Sequence, residues 1–301
     1  MTKPRTPLLS FGAQGTVADS LTFQKRGTGT MARMKPVPSQ PRTLLQLYHR
    51  WDYQDGVFYW HSLTPAQKQA YQTQARPYHM TGFAYFMRYY LTNLPGLAGR
   101  WRLDEGSGIT ARDSSKNSNP GTIVGATWIK LPNSLFALSF DGLDDYVNLH
   151  KPSQLLNHTA SSVILRIKTG SDITTLQYWF YGGYWTDPWG DYLRIHVGYF
   201  NIYLRNTAGN GVFIDIPVST NTSYVLGYSW DGENVRFYLN GALMGTRGPF
   251  TGIISRNTIF NIALGGYTGQ YKCLGVAKYL VIYDRGLSPA HMKSLSERSY
   301  P

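Results

Sequence analysis

The chain has little cysteine, little charge and no long apolar run. Cys273 is the single cysteine among 301 residues, so neither an internal disulfide nor a cysteine-ligated zinc site can form, and we expect a small buried apolar side chain there. The apolar run near the N-terminus stops at Leu8 and Leu9, which is too short for a secretion signal, and no segment is long enough to span a membrane. We therefore expect a protein that is assembled inside a cell and released by lysis, unless the chain was trimmed or leaves the cell by another route.

Residues that serve catalysis are also scarce. Glu105, Glu233 and Glu297 are the three glutamates, and they lie far apart in the sequence. The seven histidines include no pair four residues apart, which is the spacing that binds zinc from one helix. Neither a serine nucleophile elbow nor a phosphate-binding loop is found. The sequence predicts a protein without enzymatic activity.

Aromatic residues and positive charge are plentiful instead. The chain has 23 tyrosines and 8 tryptophans, which suits a β-rich protein with wide contact surfaces. The net charge of +12 is uneven, because residues 1–98 hold 11 Lys+Arg against 3 Asp+Glu, whereas the remainder holds 18 against 14. This charge predicts an N-terminal module that faces an acidic partner, either nucleic acid or an acidic protein lattice. A merely solubilising basic surface is the alternative.

Residues 1–40 are predicted to form an extended arm rich in glycine and proline. Three short strands are expected, at residues 8–11, 20–23 and 31–35, and the prolines that follow prevent an early helix. So short a piece cannot bury a core of its own, and it should lie on a partner or pack on the segment that follows. The residues expected to dock this arm are Phe11, Leu21, Phe23, Lys25, Arg26, Arg33 and Lys35.

Residues 41–93 change to a helical period and predict a small helical module. Apolar residues around Trp51 recur at spacings of three, four and seven. Thr64 is placed to cap a second helix, with Gln67 completing a capping box. A third helix should follow Thr81. Three helices of this size can form a compact bundle.

This helical module resembles one found in uncharacterised phage and prophage structural proteins. The resemblance rests on the phrases at residues 60–71 and 81–86 and on the segments before them. A fainter similarity to a high-mobility-group box leaves DNA binding as an alternative, although the basic residues do not line one face. Residues 94–99 read as a linker, so a fragment of residues 99–301 should fold alone.

The domain from residue 100 to residue 301 begins with a period of two, and strands recur until Tyr283. Val235 and Phe237 alternate with Arg236 and Tyr238, and the Asn-Gly pair that follows is the one that a tight hairpin turn prefers. A short closing helix is expected over residues 288–298. The pattern predicts a mainly β protein, built as an antiparallel jelly-roll β-sandwich behind the N-terminal arm and helical module.

Four blocks of this region resemble the laminin-G-like, concanavalin A-type jelly roll. The blocks are Trp101 to Gly108, Leu135 to Pro152, Trp230 to Gly241 and Val281 to Ser288. The resemblance implies that fold over residues 99–298 but leaves the function open, since the fold serves lectins, adhesion modules, enzymes and spacers. Glucanases of this fold carry two catalytic carboxylates on one strand, two to four residues apart. No such glutamate pair exists here.

The central block contains candidate calcium ligands, Asp141, Asp144 and Asp145, which supply hard oxygen atoms on one turn. In many relatives of the resembled family an acidic residue before the closing motif also takes part. This chain has Gly275-Val276-Ala277-Lys278 there. No cofactor is therefore expected, with calcium kept as an alternative. Without calcium, the carboxylates should cap backbone N–H groups of the turn.

The stretch from residue 178 to residue 192 is the most suggestive one for binding. Its aromatic residues lie among glycine and proline, and exposed flat rings stack on sugars or anchor protein interfaces. They could equally fill the gap over a sheet edge. The candidate residues for a glycan or a subunit interface are Tyr184, Trp185, Trp189 and Tyr192.

Two classes of function follow. The first is a non-enzymatic virion structural protein, as a capsid decoration, head fibre or tail-associated protein. Its N-terminal module would dock on a capsid or tail protein, and its jelly roll would face outward and bind host-surface glycans. The second is a secreted or cell-surface carbohydrate-binding adhesin. A homo-oligomer is expected, a membrane or nucleic-acid partner is not, and a glycoside hydrolase is disfavoured.

Overall fold

The computed structural model divides the chain into two compact units, Met1–Thr43 and Leu44–Pro301. In the first unit it describes the backbone of residues 15–17, 21–26 and 29–34. In the second it describes residues 43–132, 135–150, 152–182, 190–256, 262–265 and 272–298. No helix within these residues is long and apolar enough to cross a membrane.

The first unit contains a three-stranded antiparallel sheet, in the order β1 (Gly15–Val17), β2 (Leu21–Arg26) and β3 (Gly29–Met34). Strands therefore form at two of the three places expected from the sequence. The strand expected at residues 8–11 lies outside the described residues, as do Phe11 and Lys35 of the docking set.

The second unit begins with three helices, α1 (Leu44–Ser62), α2 (Pro65–Ala75) and α3 (Gly82–Asn93). Thr64 caps α2 as predicted: its Oγ1 accepts the Gln67 N–H at 3.3 Å, and its own N–H donates to Gln67 Oε1 at 2.8 Å. Thr81 Oγ1 accepts the Ala84 N–H at 3.1 Å and starts α3. The prediction of three helices with this capping box is confirmed.

Within the described residues of this unit, eighteen strands and two short helices follow. In chain order they are β4 (Leu97–Trp101), β5 (Thr110–Ala111), β6 (Gly121–Val124), β7 (Thr127–Lys130), β8 (Phe136–Asp141), β9 (Tyr146–His150), α4 (Ser153–Leu156), β10 (Asn157–His158), β11 (Ser161–Thr169), β12 (Gln177–Tyr181), β13 (Gly190–His196), β14 (Tyr199–Arg205), β15 (Gly211–Pro217), β16 (Ser223–Trp230), β17 (Val235–Leu239), β18 (Ala242–Arg247), β19 (Ile254–Ser255), β20 (Ile262–Leu264), β21 (Leu274–Tyr283) and α5 (Pro289–Glu297).

Sixteen of these strands form two large antiparallel sheets that face each other, and β10 pairs with β19 in a separate two-stranded sheet. One has the order β18-β17-β16-β11-β21-β8-β7, with β4 also paired to β21, and we call it the covered sheet. The other has the order β15-β14-β13-β12-β20-β9-β6-β5, and we call it the open sheet. Their inner faces enclose one hydrophobic core, whose large side chains include Trp101, Phe140, Trp179, Phe180, Phe200, Trp230 and Phe237. The predicted mainly β jelly-roll sandwich is confirmed.

Two hairpins show why the sequence pattern works. Asn240 (φ 49°) and Gly241 (φ 80°) join β17 to β18 in the left-handed conformation that Asn and Gly tolerate. The same conformation at Val197 and Gly198 joins β13 to β14. The closing helix α5 starts at the cap residue Ser288, as expected.

The segment predicted to be a linker is instead part of the fold. Leu94 ends α3 in a left-handed conformation and is buried, and Gly96 turns the chain. From Leu97 the chain is already β4, whose five residues are all buried and which pairs with β21. Proline and glycine at this place make a tight turn and not a flexible connection, so the linker prediction was wrong.

The three helices form a layer on the outer face of the covered sheet. Phe86 and Tyr90 of α3 belong to one hydrophobic cluster with Ile164, Val281 and Tyr283 of the sheet. Two ion pairs tie the layer down. They join Asp52 to Arg100 of β4 at 2.6 Å and Asp55 to Arg298. A hydrogen bond of 2.7 Å also joins Asp55 to the His291 ring of α5. The helical layer, residues 44–93, and the jelly roll therefore share a core.

Candidate binding face of the open sheet

Three neighbouring strands of the open sheet, β13 to β15, turn different residue types to their two sides. Leu193 and Ile195 of β13 belong to the core between the sheets. Tyr192 and Arg194 alternate with them and therefore face outward. The outer side of these strands carries an aromatic row and a polar row, and in the described residues no helix covers either.

The aromatic row runs across the strands. Tyr192 is paired with Tyr203, and Tyr203 with Phe213. The Tyr192 and Tyr203 rings are stacked, with centroids 4.9 Å apart and planes 21° from parallel, and Phe213 at the edge is 52% exposed. Burial raises the pKa of Tyr192 to about 12, so its hydroxyl stays protonated and can donate at neutral pH. The row is a rigid apolar platform with phenol groups on it.

The polar row lies one step along the same strands. Arg194 is paired with Asn201, and Asn201 with Asp215. The Arg194 Nε–H donates to Asn201 Oδ1 at 3.1 Å, and Asn201 Nδ2 donates to Asp215 Oδ1 at 2.7 Å. Arg194 Nη1 also donates to the Tyr178 hydroxyl at 3.2 Å. This chain of hydrogen bonds holds a guanidinium, an amide and an exposed carboxylate in fixed positions.

The two rows line an open groove of about 480 Å³. His196, Val197 and Tyr199 complete its wall at the hairpin end. Such a groove offers flat rings for an apolar ligand face and both donors and acceptors for hydroxyl groups. Asp215 is the only carboxylate among the described residues that line it.

The residues predicted for binding are only partly within the described chain. Tyr192 lies in the groove. Tyr184, Trp185 and Trp189 belong to the segment that joins β12 to β13, and they lie outside the described residues. The sequence interpretation missed Tyr203, Asn201 and Asp215, because it treated alternation only as a strand signal. The outward positions of consecutive strands would have indicated them.

The acidic residue of β13, Asp191, faces the opposite way, toward the core. Arg256 binds it through Nε at 2.6 Å and Nη2 at 2.8 Å, and the Tyr228 hydroxyl also donates to it. All three side chains are buried. Nearby, burial and the Arg256 charge lower the pKa of His158 to about 4. Asp191 is part of the interior and cannot reach a ligand in the groove.

The predicted calcium ligands Asp141, Asp144 and Asp145 do lie together, with carboxylate oxygens within 4.8 Å of one another. Two of them already serve the turn: Asp145 accepts the Asp141 N–H, and Asp141 accepts the Leu143 N–H, both at 2.7 Å. Bound through one oxygen each, three carboxylates supply three of the six to eight oxygens that calcium takes, so backbone carbonyls and waters would have to supply the rest. The residues present therefore fit a capped turn better than a calcium site.

The remaining docking residues are in the first unit. Leu21, Phe23, Lys25 and Arg26 are on β2, and Arg33 is on β3, opposite Thr22. Their role in docking stays a prediction.

An antiparallel jelly roll with a groove on one outer face is the architecture of many binding domains. A family model described as the concanavalin A-like lectin/glucanases superfamily matches residues 140–293, just over half of the chain. The chain belongs to this superfamily. The match does not reach the helical layer, so the resemblance of that layer to phage modules stays a prediction. No curated protein matches the sequence.

Similar solved structures include three toxin domains. The binding domain of Paraclostridial mosquitocidal protein 1 is 12% identical, with a TM-score of 0.56 over 67% of this chain and 52% of that one. The botulinum neurotoxin serotype D binding domain is 13% identical (TM-score 0.52, 67% and 51%). The botulinum neurotoxin type G receptor-binding domain is 13% identical (TM-score 0.51, 67% and 51%). This chain spans about half the length of each, and identities this low show the fold alone.

Proposed function

We propose that this chain is a non-enzymatic binding protein that holds a glycan against the outer face of the open sheet. The observation that carries the proposal is the pairing of an aromatic row with a hydrogen-bonded polar row across β13 to β15. Sugars have apolar C–H faces and hydroxyl rims. Tyr192 and Tyr203 suit the first, and Arg194, Asn201 and Asp215 suit the second. The fold is also that of toxin domains named for binding.

Hydrolysis is not part of the proposal. Glycosidases need two carboxylates, about 5–5.5 Å apart in retaining enzymes and about 6.5–9.5 Å apart in inverting ones. Within the described residues the groove offers Asp215 alone, and Asp191 is held inside by Arg256. A glycan that binds should therefore be recovered intact, without new reducing ends, after long incubation.

The experiment is a glycan-array screen with the full chain, followed by calorimetric titration of the best ligand. Tyr203→Ala should weaken binding about tenfold, which is about 1.4 kcal/mol, and Asp215→Asn should also weaken it. Tyr53→Ala is the control, because Tyr53 is an exposed tyrosine on α1 that does not line the groove. The proposal is contradicted if no glycan binds, or if binding survives both groove substitutions unchanged.

We further propose that this binding protein is located in a virion. This location is supported by the separate first unit, whose 43 residues hold seven Lys+Arg and one Asp, a charge that suits an acidic capsid or tail lattice. Deleting residues 1–40 should abolish incorporation into particles, as measured on gels of purified particles. Full occupancy by the deleted protein would contradict docking by this arm, and recovery on cell surfaces would favour the adhesin alternative.

A further inference from the structure

A second groove, unrelated to the glycan face, lies among the three helices of the helical layer. It holds about 430 Å³ and is walled by four tyrosines and two glutamines, which are Tyr59, Tyr71, Tyr85, Tyr89, Gln67 and Gln74. Tyr89 is 44% exposed, so the groove opens to solvent. Its wall is neutral and rich in hydrogen-bond donors.

The four phenol groups of this groove are close enough to influence one another. Burial and the neighbouring phenols of Tyr59, Tyr89 and Tyr85 raise the pKa of Tyr71. The Tyr71 hydroxyl therefore stays protonated at neutral pH and can donate a hydrogen bond. Tyrosine is also the side chain that most often anchors protein interfaces, because a rigid ring brings a large contact area at a small entropic cost.

Cations surround the groove wall. The Arg88 guanidinium lies 6.0 Å from the Tyr78 ring centroid, and that ring stacks on Tyr85 at 5.5 Å. The Arg285 guanidinium lies 4.0 Å from the Tyr59 ring centroid, and its Nε and Nη2 are buried without a hydrogen-bond partner in the described chain. The Lys68 ammonium lies 5.8 Å from the Trp60 ring centroid, beside Tyr71.

The helical layer offers no free negative charge to balance these cations. Residues 44–93 contain two acidic residues, Asp52 and Asp55. Asp52 pairs with Arg100, and Asp55 pairs with His291 and Arg298. Both carboxylates therefore pair with residues of the jelly roll. They do not offset the positive charge on the outer side of the helical layer.

We propose that the groove of the helical layer docks an acidic segment of a partner protein. Its tyrosine and glutamine donors suit carboxylates and backbone carbonyls, and the cations around it attract negative charge. The first unit of this chain is basic and does not complement it. A second copy, with a net charge of +12, is repelled as well.

The two grooves lie on opposite faces of the second unit. The helices lie on the outer face of the covered sheet, whereas the glycan groove lies on the outer face of the open sheet. The docking groove and the glycan groove are therefore separated by both sheets, and occupation of one leaves the other accessible. A protein of this kind can link an acidic protein surface to a glycan.

The test uses the full chain and a synthetic 20-residue peptide of glutamate, leucine and tyrosine, titrated by fluorescence anisotropy. The same peptide with glutamine in place of glutamate is the ligand control. Arg88→Glu and Tyr89→Ser should each weaken binding of the acidic peptide at least tenfold. Lys116→Glu and Tyr53→Ser, which change exposed residues elsewhere, should not. Affinity should also fall as salt rises.

Other outcomes would overturn the proposal. Equal binding of the two peptides, or binding of neither, would contradict the proposal that the partner is acidic. Tighter binding of a 20-base-pair DNA duplex that is lost in Arg88→Glu would assign the groove to nucleic acid. Self-association of the chain that disappears in Tyr89→Ser, measured by sedimentation, would assign it to a second copy. Glycan binding by both variants verifies that they are folded and separates a failure here from a failure of the glycan proposal.

Discussion

The two sheets of the sandwich differ in what lies on their outer faces, although both faces are rich in tyrosine. On the covered sheet Tyr279 and Tyr283 are buried beneath helices, beside Ile164 and Val281. On the open sheet the aromatic row adjoins a row of charged and amide side chains, Arg194, Asn201 and Asp215. Tyrosine content alone therefore does not distinguish an open face from a covered one. Its neighbours do, because aliphatic neighbours require cover whereas hydrogen-bonding neighbours tolerate water.

The largest expected effect comes from removing the helical layer. A fragment of residues 94–301 lacks the helical layer and exposes the apolar outer face of the covered sheet, so we expect aggregation or the loss of a cooperative melting transition. The chain without residues 1–43 should melt like the full-length protein, because that unit is separate. Circular dichroism and calorimetry on both fragments test this. A cooperative melt of the 94–301 fragment would restore the two-domain interpretation of the sequence.

A pair of single substitutions makes the same comparison within the intact chain. Phe86 of α3 is 0% exposed, whereas Phe213 of the open face is 52% exposed. Phe86→Ala should lower the free energy of unfolding by about 3–5 kcal/mol through the cavity it leaves, and Phe213→Ala by less than about 0.5 kcal/mol. Chemical denaturation of both variants measures the difference. Equal losses would mean that the open face is also structurally required.

Acid should lower the free energy of unfolding through buried histidines on both sides of the sandwich. Burial holds the pKa of His158 at about 4 in the folded protein, against 6.5 for an exposed histidine. Burial also lowers the pKa of His291, beneath the helices. The contribution of each buried neutral histidine to the free energy of unfolding is fully present above pH 6.5. It is lost as the pH falls, because the unfolded chain takes up the proton first.

For His158 this loss amounts to at most about 3 kcal/mol between pH 6.5 and pH 4. His158→Asn should flatten the dependence of the unfolding free energy on pH over that interval, and a denaturation series from pH 4 to pH 7 measures it. If the slope of the unfolding free energy against pH is unchanged in the variant, the pKa of His158 is not lowered in the folded protein. The same series with His291→Asn separates the contribution of the covered side.

Sequence reasoning predicted those parts of the fold that local rules determine. Alternating residues such as Val235 and Phe237, the Asn240-Gly241 turn and the Thr64 capping box are local patterns, and each formed as expected. The joining of the helices to the covered sheet was not predictable in this way. It depends on Asp55 meeting His291, two residues that are distant in sequence.

The groove illustrates the same limit. Tyr192 was identified because it lies in a conspicuous run of aromatic residues. Tyr203 and Asp215 become its neighbours only through strand pairing, which fixes which outward side chains share a row. Register is set by the whole sheet, so the residues of the groove could not be assembled from any one stretch of sequence.

The smallest expected effect concerns the turn that carries the chain from the covered sheet, at β8, to the open sheet, at β9. Bound through one oxygen each, its three aspartates would give calcium three of the six to eight oxygens that it takes. Hydrogen bonds from the turn's backbone already engage Asp141 and Asp145. We expect millimolar calcium to raise the melting temperature by less than about one degree, since a ligand stabilises only where it binds the folded state. Asp141→Asn should likewise leave the response to EDTA unchanged. A clear EDTA-sensitive shift that Asp141→Asn abolishes would place a metal at the junction of the two sheets, and would make their relative position dependent on calcium.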